Sequence, residues 1–296
     1  RPEIAGLVRC EGSSAVGLVL NALAGDFREV QPAIELDIVS SGSGTAARAL
    51  AEGRCDLATM SRAMTAEEIA LVERGCGCPV RSIDIALDAV AVCVNVDHPL
   101  ERMTLRDLDR IFGRERRRGG GPATAWSDLG VTGELGTLPI VAVGMGEDSG
   151  SNGLVREAIL LGGSFRTTVI EEPVYSSVVQ AIAADPAAIG YCSAFFATER
   201  TARNAKIRPS RVRALSLETL DGSGFAPPDD ASVRSGRYPL ARALRICFVD
   251  DPARPNPAAR QLLRFLVSED GQEILGQLGQ RTLSPGQAQE MFRRVG

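Results

Sequence analysis

The sequence predicts an α/β chain, and two patterns carry that reading. Short apolar runs alternate with stretches of helical periodicity, the order that builds mainly parallel sheets flanked by helices. Three times, an apolar run passes through a turn of serines and glycines into a helix: at Gly12-Ser13-Ser14, at Ser40-Ser41-Gly42-Ser43-Gly44-Thr45 and at Ser149-Gly150-Ser151. In open α/β sheets ligands collect at the carboxyl ends of strands, where all three turns fall. Glycine exposes amide N–H groups, serine adds hydroxyl donors and a helix start adds the positive end of its dipole, so each turn is a candidate oxyanion cradle. One such turn alone is an ordinary helix cap; the recurrence is what points to a ligand.

The elements follow in order. Residues 7–10 read as the first strand, and Val16, Val19, Leu20, Leu23 and Phe27 keep helical spacing behind the first turn. Ile34, Leu36 and Ile38 alternate as a strand before the second turn, whose helix runs to Glu52. Residues 56–60 form a buried strand ending at Ser61-Arg62, and Thr65-Ala66-Glu67-Glu68 has the look of a helix cap and first turn. A long apolar strand over 85–94 precedes a helix from Thr104 to about Phe112-Gly113. Residues 114–122, Arg-Glu-Arg-Arg-Arg-Gly-Gly-Gly-Pro, break all periodicity and are expected to form a mobile surface loop. The strand over 139–143 feeds the third turn and a helix with Leu154, Val155, Ala158 and Ile159 on one face. A helix over 178–184, a strand over 188–196, a loop over 221–237 and a late strand over 244–249 come next. Amphipathic helix over 258–278, broken at Ser268-Glu269-Asp270-Gly271, follows.

Composition narrows the function classes. At 296 residues the chain has the length of two ordinary domains. With 44% apolar residues, 24% charged residues and a net charge of −4, it is soluble and globular, without a basic field for nucleic acid or membrane. The longest apolar run, over 83–94, is interrupted by Asp84 and Asp88 and falls short of the roughly 20 residues that span a bilayer. The chain begins at Arg1 with no charged-then-apolar leader, and so reads as cytosolic or as exported with its leader removed. Lys206 is the one lysine, which excludes a phosphate loop ending in Lys-Ser or Lys-Thr. The one histidine, His98, precedes Pro99 and is expected to be a strand-end turn residue; with no Gly-x-Ser-x-Gly elbow either, no catalytic residue is assigned. Asp84 with Asp88, and Glu171 with Glu172, lack a third ligand nearby, so they read as solvated or capping carboxylates, and neither metal nor cofactor is expected. The seven cysteines are too dispersed for a zinc ribbon. Cys93, Cys192 and Cys247 read as buried small residues, and Cys55 with Cys76 or Cys78 is the disulfide to test in an exported protein.

Gly12-Ser13-Ser14, Ser41-Gly42-Ser43-Gly44-Thr45, Ser61-Arg62-Ala63-Met64-Thr65 and Ser149-Gly150-Ser151 stand in the order and approximate spacing seen in the phosphate-binding proteins of bacterial ABC importers. The chain resembles that family over residues 7–285, including Val96-Asp97-His98-Pro99-Leu100, Trp126-Ser127-Asp128-Leu129, Ala188-Ile189-Gly190-Tyr191, Tyr238-Pro239-Leu240 and Ser268-Glu269-Asp270-Gly271-Gln272. The resemblance implies a two-lobed periplasmic-binding-protein fold of type II, each lobe a mainly parallel sheet flanked by helices. Residues 1–92 and 238–296 would make lobe I, and 93–237 an inserted lobe II. It implies a monomeric, periplasmic or otherwise extracytoplasmic receptor, not an enzyme, that binds inorganic phosphate between the lobes and delivers it to a membrane ABC permease. Carried over by position, the ligands would be Ser14, the Ala15 amide, Ser41, Ser43, Arg62, Ser149, the Gly150 amide and Ser151. A buried tetrahedral oxyanion needs nearly all its acceptor sites filled, which such a set can do.

The chain departs from the family pattern in places. Met145 stands where relatives often carry arginine, which leaves Arg62 as the assigned guanidinium, and Ser151 stands in place of a threonine. Some relatives carry aspartate where Arg62 stands, so the carboxylate that accepts the ligand's own proton is sought at Glu147 and Asp148. The alternatives are a sensory or interaction module of the same fold with weak or no phosphate binding, and a receptor for another oxyanion or a small organic anion.

Overall fold

The computed structural model describes residues 4–197, 211–253 and 255–296. The first stretch holds β1 (Gly6–Gly12), α1 (Ser14–Val30), β2 (Ile34–Val39), α2 (Ser43–Ala51), β3 (Leu57–Met60), α3 (Ala66–Cys76) and β4 (Val80–Asn95). The middle holds β5 (Arg102–Met103), α4 (Leu105–Phe112), α5 (Gly133–Thr137), β6 (Val141–Met145), α6 (Gly150–Ala158), β7 (Ile170–Glu172), α7 (Tyr175–Ala184), β8 (Ala188–Ser193) and α8 (Ala194–Ala197). The rest comprises β9 (Val212–Ala214), β10 (Ser216–Glu218), β11 (Phe225–Ala226), α9 (Asp230–Arg234), β12 (Ala241–Val249), α10 (Pro257–Val267), α11 (Glu269–Gln277) and α12 (Pro285–Val295).

Local chemistry accounts for the helix starts. Ser13 caps α1, accepting from Val16 N, and Val16, Val19, Leu20, Leu23 and Phe27 form its buried stripe. Thr65 and Glu68 make a reciprocal capping box on α3, as the sequence suggests. The strand over 188–196 stops at Ser193, where α8 takes over, and the segment over 221–237 contains the short β11 and α9.

Among the described residues the main sheet runs β2-β1-β3-β12-β4-β8-β6-β7, with β9 also paired to β4. β1 pairs in parallel with β2 and β3, and β6 with β7 and β8; the antiparallel pairs of this sheet all involve β4 or β12. β4 is the strand that joins the two halves, pairing with β12 up to Ala89 and with β8 from Val90 onward. The acids that interrupt its apolar run have partners on β12. Asp88 lies opposite Arg242 and Asp84 opposite Arg245, in ion pairs of 2.7 and 2.9 Å. Asp88 is buried, which corrects its reading as a solvated or capping carboxylate.

Three other expectations meet the coordinates here. Residues 114–122 are latched: Arg118 donates to the carbonyls of Ala158 and Ile159 at 2.7 Å each, Arg117 donates to Leu161 O, and Glu115 accepts from Ser164 N. These arginines satisfy the carbonyl end of α6, where the helix dipole is negative. No disulfide joins Cys55 to Cys76 or Cys78; burial pushes the Cys55 thiol up to about 12, and Cys76 Sγ lies 3.6 Å from Leu50 O. His98 sits in the turn after β4, buried against the Trp126 ring at 4.1 Å, its Nδ1 accepting from Leu100 N. Among the described residues no helix is long and apolar enough to cross a membrane.

Candidate functional site

The starts of α1, α2 and α6 converge at the junction of the two halves of the sheet. Gly42, the N-cap of α2, has φ 97, a conformation glycine adopts without strain, and its amide donates to Gly12 O at 2.7 Å. That bond ties the second turn to the first. The Gly44 amide donates to Asp148 O at 3.1 Å and ties the second turn to the third. The contact is close: a side chain at Gly42 would overlap the Asp148 carbonyl, and a methyl group on Gly150 would overlap the Ser61 hydroxyl.

Beside this junction lies a cleft of about 550 Å³. Ser14, Ser41 and Gly42 line one wall, and Glu147, Asp148 and Ser149 the other. Ala15, Gly150, Ser43 and Ser151 are buried beneath it, the last two completely. Ser149 caps α6, its Oγ accepting from Ser151 N at 3.2 Å. Ser41 Oγ contacts Thr45 Oγ1 at 2.6 Å and Glu11 at 3.4 Å. Ser43 Oγ accepts from Ser61 N at 3.1 Å and lies 3.2 Å from Ser61 Oγ. The fold thus brings the serines and glycines of the three turns together, in two layers. Glu171 and Glu172 also face the cleft, so among the described residues the charged side chains along it are carboxylates.

Arg62, expected among the ligands, turns its guanidinium to α3 rather than to the serines. Its Nη1 and Nη2 are clasped by the two carboxylate oxygens of Glu68 at 2.7 Å each, and Nη1 also donates to Ala63 O. The hydrogen bonds to Glu68 hold its pKa above the usual arginine value. The cause is local: the α3 capping box fixes the Glu68 carboxylate beside the end of β3, facing Arg62.

The guanidinium that does reach the serines is Arg242, which the sequence reading passed over. Its Nε and Nη2 bind Asp88 Oδ2 at 3.0 and 2.7 Å, its Nη1 lies 2.9 Å from Ser151 Oγ and 3.4 Å from Ser61 Oγ, and its Nη2 lies 3.4 Å from the Tyr175 hydroxyl. Asp88 also accepts from Ser193 Oγ. The side chains of Arg242 and Asp88 are 2% and 3% exposed. Burial opposes the arginine's charge, but Asp88 and Tyr175 outweigh it and the net shift is upward. Such a pair is tolerated in a core only when fully hydrogen-bonded, as here. Two signals were available: Arg242 follows closely on Tyr238-Pro239-Leu240, and an acid inside an apolar strand requires a partner.

A family model described as a PBP superfamily domain matches residues 2–270. The phosphate-binding protein PstS of Pseudomonas aeruginosa is 28% identical over 295 residues, covering 99% of this chain and 88% of that protein. A Clostridium perfringens structure described as a phosphate ABC transporter substrate-binding protein with bound phosphate superimposes with a TM-score of 0.75 at 20% identity, over 94% of this chain and all of that one. An ABC-type phosphate transport receptor from Vibrio cholerae gives 0.71 at 19% identity, over 93% and 100%. These structural likenesses establish the two-lobed α/β fold expected from the sequence.

Proposed function

The chain belongs to the PBP superfamily, and from that premise we propose that it is an extracytoplasmic solute-binding protein that takes inorganic phosphate in the cleft and hands it to the permease of an ABC importer. The lobes are residues 1–92 with 238–296, and 93–237, meeting as a monomer around the ligand. The observation that carries this reading is the convergence of three serine- and glycine-bearing helix starts at one junction. Amides and hydroxyls at helix starts donate, and a phosphate offers acceptors on every oxygen. Relatives over nearly the whole chain length bear the name phosphate-binding protein, which supports the same ligand. The donors gathered at the helix starts suit holding an anion, and in this reading the chain carries its solute rather than transforming it.

Within this reading Ser14, Ala15, Ser41, Ser43, Ser149, Gly150 and Ser151 supply the donors, and Glu147 or Asp148 accepts the proton that hydrogen phosphate carries and sulfate lacks. A second reading, a sensory or interaction module of the same fold, draws on Met145 at the expected arginine position and on the carboxylates along the cleft. Calorimetric titration with phosphate, sulfate, molybdate and tungstate separates them. Saturable binding with phosphate preferred supports the first reading. A preference for another oxyanion changes the solute, and no heat at millimolar anion favours the sensory module.

A further inference from the structure

The Arg242–Asp88 pair is more than filling between strands, because of what the guanidinium does to the hydroxyls around it. Arginine can only donate, whereas serine and tyrosine hydroxyls donate and accept. Ser151 Oγ therefore accepts from Arg242 Nη1, and the Tyr175 hydroxyl accepts from Nη2. A phenol is a stronger donor than an aliphatic alcohol, and Ser151 Oγ, 2.9 Å away, is the acceptor within reach of the Tyr175 proton. Ser151 then accepts twice, and its own proton is the one the network leaves unspent. Ser61 Oγ accepts from Nη1 in the same way, and with its proton turned to Ser43 Oγ, 3.2 Å away, the Ser43 proton is left over. All five N–H groups of an arginine are donors, and the Nε, Nη1 and Nη2 atoms here already serve Asp88 and three hydroxyls. Arg242 therefore acts on a ligand through other residues.

We propose that Arg242, held by Asp88, is the positioning residue of the anion site: it sets the hydroxyl polarity of Ser151 and Ser43 so that both present protons rather than lone pairs to the bound oxyanion. This rests on the phosphate reading above and adds to it what orients the site's hydroxyl donors. Without the arginine, each hydroxyl is free to turn its oxygen toward the anion.

The test is a coupling measurement on the full chain with inorganic phosphate as the probe. Arg242→Met with Asp88→Asn removes both charges together, leaves no unpaired buried ion, and keeps an acceptor for Ser193. Calorimetry is run on the parent, this double variant, Ser151→Ala, and the three changes combined, with thermal melts alongside. The double variant is expected to melt near the parent and to weaken phosphate at least tenfold, the scale of a charge-assisted hydrogen bond. In the Ser151→Ala background the same two changes are expected to cost at most about threefold, because the hydroxyl they contact directly is gone and only the indirect effect on Ser43, through Ser61, remains. A merely structural role gives the same factor in both backgrounds, and that result, or a double variant that binds like the parent, overturns the proposal. Should the double variant fail to fold, Arg242→Lys keeps the charge pair but has three N–H donors where the arginine makes five contacts, two to Asp88 and three to hydroxyls, so it cannot hold the whole set, and the same coupling is read from it. A parent that takes up no phosphate defeats the underlying reading and this inference with it, whereas a parent that binds without the coupling defeats this inference alone.

Discussion

Gly150 at the start of α6 packs against the Ser61 hydroxyl at the end of β3, with no space for even one methyl group between them. The two residues come from the two halves of the sheet, so the contact reports how tightly those halves meet. Gly150→Ala is expected to leave the melting temperature within a few degrees of the parent's, hold the lobes apart and weaken phosphate at least tenfold. Small-angle scattering with and without phosphate checks it: the parent should become more compact with ligand and the variant should not. A variant that closes like the parent would mean that this contact does not limit closure.

Arg62 and Arg242 make opposite claims on the same function. Because Arg62 is clasped by Glu68 and its side chain is 26% exposed, Arg62→Ala should change phosphate affinity by less than about threefold, the small effect usual for a partly exposed ion pair. A loss of tenfold or more in calorimetry would place the guanidinium in the ligand's shell after all.

The contrast between these arginines shows what the sequence could carry. The three serine and glycine turns were legible because each is local: a strand end, a glycine where the backbone must bend or approach closely, and a helix cap lie within ten residues. The parallel units β1 to β3 were legible for the same reason, through apolar periodicity. Arg242 and Asp88 are 154 positions apart and meet only through the register of β12 on β4. That register includes a shift between Leu244 and Arg245, which no periodicity announces. For Arg62 the position at a strand end is legible, but the direction of its side chain is decided by a carboxylate that the α3 cap holds in place. The Arg-rich loop likewise had no readable partner, since the carbonyls it binds lie about 40 residues away at the far end of α6.

Selectivity should depend on the carboxylates at the cleft. Glu147 and Asp148 are exposed at its edge, where one can accept the proton of hydrogen phosphate and repel fully ionised sulfate. Glu147→Gln or Asp148→Asn is expected to narrow the phosphate-over-sulfate affinity ratio by tenfold or more, since a site that hydrogen-bonds the ligand's O–H rejects the analogue lacking it. Parallel titrations with the two anions decide it. An unchanged ratio in both variants would move the discriminating acceptor elsewhere.

His98 gives the fold a specific acid sensitivity. Burial, with a smaller contribution from Arg213, lowers its pKa to about 4. An unfolded histidine takes its proton near 6.5, so between those values the unfolded state binds more protons and stability falls as the pH drops. The loss from this one group should approach ~3 kcal/mol by pH 4. His98→Gln removes the titration, and denaturant unfolding at pH 7 and pH 4.5 should show a shallower loss than in the parent. Equal losses would show that His98 does not titrate as placed.

A crystal structure grown with inorganic phosphate tests most directly where the anion sits. Phosphate should lie in the cleft with oxygens within hydrogen-bond distance of the Ala15 and Gly150 amides and of the Ser14, Ser43, Ser149 and Ser151 hydroxyls, with Arg242 still bound to Asp88 behind Ser151. Phosphate held elsewhere on the molecule, or a cleft without it at saturating concentration, would contradict the assignment.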